Sequence, residues 1–346
     1  MKKLLLIPFA LFILTFSSCD DDPINTDDKK LISSLAEYKI VYTTIENKVP
    51  KTYICNNNGS EKTLLFDSTG MLFPCINSQT CLSYSSYDEI YETFFYDFSE
   101  QKKLNVITDE EAKKMWVRLI PNSDKILMGR SFDETDEIYI ADRSGANKVL
   151  LSDEANGYFI RISPDGSKIL MLIDQNWYVS DSDGTNKKLL FESYGINAYW
   201  HIDSKHIIRT KFVDDNTTNI ELVNVETSGL ELIKKLEGKQ CLNARFSPDG
   251  KKIAFYDEYL SLYIMNSDGS NMEKIKTSTA INVDEPIYAE LEWAPDSKHI
   301  LYDQFFAITS GKGSAIGLEL INIDTKNTTT ILNTDNSYKA FWVNTK

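Results

Sequence analysis

The sequence predicts an all-β propeller, a ring of repeated four-stranded blades, and three observations carry that expectation. The first is a recurring phrase: Phe246-Ser247-Pro248-Asp249-Gly250-Lys251-Lys252 returns as Ile162-Ser163-Pro164-Asp165-Gly166-Ser167-Lys168, and in worn form as Trp293-Ala294-Pro295-Asp296-Ser297-Lys298-His299. The second is spacing. The residues that open the strand after each phrase are Ile40, Leu82, Ile126, Ile169, Ile207, Ile253 and Ile300, which lie 38 to 47 residues apart. A four-stranded blade needs about 40–45 residues. The third is the order of elements after each phrase: an apolar strand, a second apolar strand and a turn, as in Ile253–Tyr256, Leu262–Met265 and Asn266–Asn271. The count favours seven blades, with six or eight as alternatives.

The phrase itself is turn chemistry. Proline fixes φ near −65°, aspartate bonds back to turn amides and glycine admits positive φ, so Pro164-Asp165-Gly166 and Pro248-Asp249-Gly250 predict tight strand connections. Their aspartates are therefore structural rather than catalytic. The chain holds 18 Tyr, 17 Phe and 5 Trp but only 15 Gly, which suits many short packed strands.

The first repeat opens at Tyr38–Tyr42 with no preceding strand that carries the usual Trp or Phe, while the chain ends in Lys339-Ala340-Phe341-Trp342-Val343-Asn344. Trp342 aligns with Trp293 and Trp200. The C-terminal strand is thus expected to complete the N-terminal blade and close the ring, removing exposed sheet edges. The second repeat, around Cys81 to Ile107, is the most degenerate.

These phrases resemble the repeats of TolB-type propellers, also described as WD40-like or PD40 repeats. The resemblance covers about residues 35–346, is strong around Pro164 and Pro248, and is weak before residue 110. It implies a propeller that engages envelope proteins. Oligogalacturonate lyases have seven-bladed propellers with similar repeats and a histidine-rich metal site, but here the resemblance is of scaffold alone.

Ahead of the propeller, residues 1–18 read as a secretory signal, with Lys2 and Lys3 followed by an apolar run from Leu4 to Phe16 that is too short to span a bilayer comfortably. Phe16-Ser17-Ser18-Cys19 resembles a bacterial lipobox, which implies lipidation of Cys19. Residues 19–34 then form an acidic tether that begins Asp20-Asp21-Asp22, resembling the surface-export signal of Bacteroidetes lipoproteins. The expected location is the outer membrane of a Gram-negative envelope, on its surface or periplasmic face.

The formal charge of the chain is −14, which disfavours a phosphate backbone and argues against nucleic acid. Four further cysteines remain: Cys55, Cys75, Cys81 and Cys241. Export permits a Cys75–Cys81 disulfide, whereas no CxxC metal spacing occurs.

Candidate chemistry centres on one repeat position. Three residues before each proline, on the strand nearest the axis, the sequence reads Arg118, Arg161, Tyr199, Arg245, Glu292 and Phe341; the flanking positions are apolar and should pack between blades. Three arginines at one level of an acidic chain could grip a carboxylate or phosphate bidentately. The alternative is that they pair with Glu292 or turn aspartates and only tie the blades together.

His201, His206 and His299 all fall on scaffold positions, so a histidine metal cluster has little support, and no metal or cofactor is expected. Asp181-Ser182-Asp183-Gly184-Thr185-Asn186 looks like the opening of a calcium loop but lacks the acidic twelfth residue, and reads as a hairpin turn. A serine-hydrolase Gly-x-Ser-x-Gly elbow is absent, and no catalytic residue is assigned.

The longest loops are Asp67–Thr80, Ser131–Glu137, Val213–Thr218, Lys276–Ala289 and Phe305–Ala315, with Phe305, Phe306, Tyr288 and Trp177 as secondary contact candidates. The function expected is a monomeric, non-enzymatic module that binds a protein in the envelope. The alternative is a glycan-binding protein or polysaccharide lyase acting on acidic oligosaccharides at the channel.

Overall fold

The computed structural model describes residues 31–345 apart from 47–48, 68–69, 75–80, 87–90, 99–100, 110–113, 132–135, 154–159, 193–197, 278–290, 307–313 and 334–336. The signal, Cys19 and most of the tether lie outside the described residues, as do Cys75 and Tyr288. Cys81, Phe305 and Phe306 are described only as strand backbone.

Seven four-stranded antiparallel sheets make up the described fold. The first holds β1 (Tyr38–Glu46), β2 (Val49–Asn56) and β3 (Thr63–Phe66), with the last strand of the chain, β28 (Ser337–Asn344), on its inner side. The second holds β4 (Gly70–Pro74), β5 (Cys81–Ser86), β6 (Tyr91–Asp97) and β7 (Lys102–Asp109). The third holds β8 (Lys114–Leu119), β9 (Lys125–Ser131), β10 (Asp136–Asp142) and β11 (Val149–Ser152). The fourth holds β12 (Arg161–Ile162), β13 (Lys168–Ile173), β14 (Asn176–Asp181) and β15 (Lys188–Glu192). β16 (Ala198–Trp200), β17 (His206–Asp214), β18 (Thr217–Asn224) and β19 (Leu230–Glu237) form the fifth. The sixth holds β20 (Cys241–Phe246), β21 (Lys252–Asp257), β22 (Leu262–Asn266) and β23 (Glu273–Lys276), and the seventh β24 (Leu291–Trp293), β25 (His299–Phe306), β26 (Ser314–Asn322) and β27 (Thr328–Asn333).

Apolar residues pack between sheets, and each core joins two neighbours. Val41, Phe94 and Phe341 join the first sheet to the second, and Phe95, Val117 and Met128 the second to the third. Leu127, Ile160 and Met171 join the third to the fourth, and Leu170, Trp177 and Ile207 the fourth to the fifth. Ile208, Ala244 and Phe255 then lead to the sixth, Tyr256, Leu291 and Ile300 to the seventh, and Leu301, Leu318 and Tyr42 return to the first. Each sheet thus buries both faces and the succession closes on itself, which is the defining packing of a β-propeller.

Strands β12, β16 and β20 touch their neighbours across sheets and mark the inner side, whereas a fourth strand such as β19 is largely exposed, with only Leu236 fully inside. Among the residues that open the second strands, Ile40, Ile126, Ile169, Ile207, Ile253 and Ile300 are fully buried. Trp177, a contact candidate on sequence grounds, is also fully buried against Phe191. Its face of β14 points into the core between the fourth and fifth sheets, so it offers nothing to a ligand.

The turns behave as their chemistry dictates, and they also stitch sheets together. Asp165 Oδ1 accepts bonds from the Ser163 hydroxyl at 2.7 Å and the Ser167 amide at 2.9 Å. The Asp165 amide donates to Ser204 Oγ of the fifth sheet at 3.0 Å, and the Asp249 amide to Ser297 Oγ of the seventh at the same distance. Asp181–Asn186 is a hairpin turn, with the Gly184 amide donating to the Asp181 carbonyl and positive φ at Gly184 and Asn186.

His299 illustrates the scaffold use of histidine: its Nδ1 faces Asp296 Oδ2 at 2.7 Å and its Nε2 faces Asn322 Nδ2 at 3.0 Å. Burial alone would push the Asp296 carboxyl up, but bonds from His299, Ser34 and the Lys298 amide outweigh it and hold it at about 2. A depressed carboxyl stabilises fully above its unfolded value, near 4, and that contribution is lost as pH falls through about 2. Stability should therefore drop between about pH 4 and pH 2, and Asp296→Asn should remove on the order of 2 kcal/mol of that dependence in acid titrations followed by urea melts.

Cys55 and Cys241 are free, buried thiols. Burial pushes Cys55 up to about 12 and Cys241 well above its ordinary value, so both are inert packing residues. A second buried polar feature is the Arg209–Glu221 pair, paired across β17 and β18 and joined at 2.6 and 2.7 Å. Glu221→Ala should cost about 3–5 kcal/mol by stranding the guanidinium, while Arg209→Met with Glu221→Leu should restore most of that loss in denaturant melts.

Candidate channel site

The inner strands place the predicted side chains at one level, and the structure brings four of them into one cluster. Tyr199 on β16 lies at its centre. The Arg161 guanidinium stands 4.4 Å from the Tyr199 ring centroid and the Arg245 guanidinium 4.2 Å, one from the fourth sheet and one from the sixth. Arg245 Nη2 also donates to the Tyr199 hydroxyl at 3.2 Å, and Arg245 Nη1 meets Glu292 Oε2 of the seventh sheet at 3.4 Å. Guanidinium planes suit this setting because they stack on aromatic faces while their edges donate.

Arg118 stands apart from Tyr199. Its Nη1 donates to the Ile160 carbonyl of the fourth sheet, and its guanidinium lies 5.0 Å from the Trp116 ring. Phe341, at the same repeat position, is buried in the core between the first and second sheets. The inner tryptophans add a repeated staple: Trp200 Nε1 donates to the Arg161 carbonyl at 3.0 Å, and Trp293 Nε1 to the Arg245 carbonyl at 3.4 Å.

Asn243 belongs to the cluster and was not foreseen. Its Oδ1 accepts the Tyr199 hydroxyl at 3.1 Å. A register shift between Leu242 and Arg245, with Asn243 at φ 53°, bulges β20 and turns the amide toward Tyr199. The only sequence signal was a small amide two residues before Arg245, off the repeat position that the arginines share.

The electrostatics at Tyr199 favour negative charge. Burial alone would raise the Tyr199 phenol, but the Arg245 and Arg161 charges outweigh it and hold the phenol below its ordinary value. Arg161 Nη1 is buried and has no hydrogen-bond partner among the described residues. Arg161, Tyr199, Arg245 and Glu292 all remain partly exposed.

The histidines do not join them. His206 Nδ1 faces Asp203 Oδ2 at 2.7 Å and its Nε2 faces Asn224 at 3.2 Å, repeating the His299 arrangement, while His201 packs edge-on to Phe246 at 4.5 Å. Among the described residues no group of three or more His, Cys, Asp or Glu side chains could hold a metal ion.

Comparison with solved structures places the chain among β-propellers. An oligogalacturonate lyase in complex with manganese matches with a TM-score of 0.64 at 14% identity, over 86% of this chain and 89% of that one. TolB from Acinetobacter baumannii matches with a TM-score of 0.54 at 14% identity, over 89% of this chain and 67% of that one. A periplasmic gluconolactonase from Pseudomonas aeruginosa matches with a TM-score of 0.58 at 10% identity, over 89% and 99%. At such identities the likeness is one of fold, and it fits a TolB-type repeat propeller. No protein-family model matches the sequence, and no curated protein matches it.

Proposed function

We propose that this chain is a lipid-anchored propeller of the bacterial envelope that binds a protein partner and performs no chemistry of its own, with each of the seven sheets serving as one blade. The observation that carries the reading is how the reactive side chains are used. His206 and His299 are held between aspartate and asparagine in the scaffold, and Arg118 and Arg245 are bonded to neighbouring blades. What remains is a rigid, shaped surface with local positive charge around Arg161 and Arg245, suited to an anionic group on the partner.

A second reading, binding or β-elimination of acidic oligosaccharides, draws on the Tyr199 phenol, acidified between two guanidinium groups and bonded to Asn243. Such a phenol could exchange a proton beside a neutralised carboxylate. One experiment separates the two. The mature domain from residue 20 and its Arg161→Gln/Arg245→Gln variant, matched for folding by near-UV circular dichroism, are used to capture envelope extract and are incubated with oligogalacturonate. The scaffold reading expects an envelope protein captured by the first and lost from the second, with no unsaturated sugar product. Formation of that product, abolished by Tyr199→Phe, would replace it with the lyase reading.

A further inference from the structure

The chain that leads into the first strand is fixed to one side of the ring. Asn57, in the turn between β2 and β3, is almost completely buried and spends its side chain on this segment. Its Oδ1 accepts the Ile32 amide at 3.0 Å, and its Nδ2 donates to the Ile32 and Leu35 carbonyls at 3.1 and 2.8 Å. Leu35, in a 3₁₀ turn at Ser33–Leu35, is fully buried. Ser34 Oγ donates to Asp296 Oδ2 at 2.6 Å, in the turn between β24 and β25, and the Thr345 amide donates to the Glu37 carbonyl at 3.3 Å.

All of these partners lie on the side of the propeller that carries the turns between first and second strands and between third and fourth strands. The opposite side carries the hairpins between second and third strands, where Phe212, Val213 and Tyr259 are exposed. We propose that the turn side of the propeller faces the membrane and that the hairpin side is presented away from it, to the partner. The inference rests on the lipid anchor at Cys19 within the function proposed above.

Chain length decides the orientation. Between Cys19 and Leu31 there are 12 peptide links. Covalent geometry limits that many links to about 40 Å at full stretch. Strands of six to nine residues, such as β13 and β17, make the ring about 20–30 Å thick along the strand direction. To bring the hairpin side to the bilayer, the tether would have to run that thickness and also round the outer edge, near its full stretch. With the turn side inward a fraction of that reach suffices.

The test uses the full-length protein, purified with its acyl chains and reconstituted in phosphatidylethanolamine/phosphatidylglycerol vesicles that carry an energy-transfer acceptor in the headgroup region. A donor dye is attached through an azide-bearing amino acid at Lys187, exposed beside a turn, or at Val213, exposed at a hairpin. Transfer at least twofold more efficient from position 187 than from 213 is expected. Equal transfer, or more from 213, overturns the orientation even when mass spectrometry shows Cys19 acylated. A protein that carries no acyl chain, or a Cys19→Ala variant that remains on the vesicles, overturns the anchor reading and the orientation with it.

Discussion

Gly166→Ala is expected to destabilise the propeller by about 3–4 kcal/mol, one of the largest effects available from removing no side chain at all. Two costs add at this position. Gly166 has φ +77°, a left-handed conformation that costs an L side chain about 1–2 kcal/mol. A methyl group there would also fall inside the contact distance of the Pro121 carbonyl oxygen, in the turn of the neighbouring third blade. Backbone cannot rotate away as a long side chain can, so the two turns must separate, at a cost of about 1–3 kcal/mol. That separation strains the bond from Asn122 Nδ2 to the Asp165 carbonyl, at 3.2 Å.

Gly238 provides the internal control. It has nearly the same dihedral, φ +73°, and nothing within 4 Å of where its Cβ would lie. Gly238→Ala should therefore show only the conformational cost, about 1–2 kcal/mol. Urea melts of both variants measure the difference directly. Equal midpoints would mean that the contact between blades contributes nothing and that the repeated glycine serves the turn alone.

That distinction also explains how much of this molecule could be read in its sequence. The turn phrase was legible because proline, aspartate and glycine act within four residues, and the strands after it were legible because Ile126, Ile169 and Ile253 recur at fixed offsets and are all fully buried. Contacts between blades were not, since Pro121 meets Gly166 only once the ring has formed. The channel cluster divides the same way. Arg161, Tyr199, Arg245 and Glu292 share a repeat position and so were visible as a set. Which of them touch depends on ring geometry, and it leaves Arg118 bonded to a backbone carbonyl away from Tyr199. Asn243 escaped because a bulge breaks the alternation on which the alignment of β20 relied. Trp177 could be read either as a contact residue or as blade packing for a related reason: which face of β14 is buried depends on the strands packed against it, and Trp177 points into the core between two sheets.

Deleting residues 337–346 should abolish cooperative folding altogether. β28 pairs with β1 from Tyr38 opposite Asn344 to Thr44 opposite Ser337, so its loss bares the inner edge of the first blade. It also empties two inter-blade cores at once. Phe341 and Val343 leave the contact with Val41, Ile54 and Phe94, while Ala340 and Trp342 leave the contact with Leu301, Leu318 and Tyr42.

Truncating a single buried phenylalanine costs about 3–5 kcal/mol, and a domain has only about 5–15 kcal/mol to lose. Removing the whole strand exceeds that margin. Beyond the backbone ladder to β1, Trp342 Nε1 adds no bond among the described residues, being buried without the carbonyl acceptor that Trp200 and Trp293 find. Apolar packing thus carries the closure, and Phe341→Ala alone should remove about 3–5 kcal/mol of it. Calorimetry of the truncated chain should show no cooperative unfolding peak, and a peptide of residues 337–346 supplied in trans should restore one. A truncated chain that melts at the temperature of the intact protein would show instead that the ring is held without its last strand, and that the pairing of β28 with β1 is a consequence of folding rather than its lock.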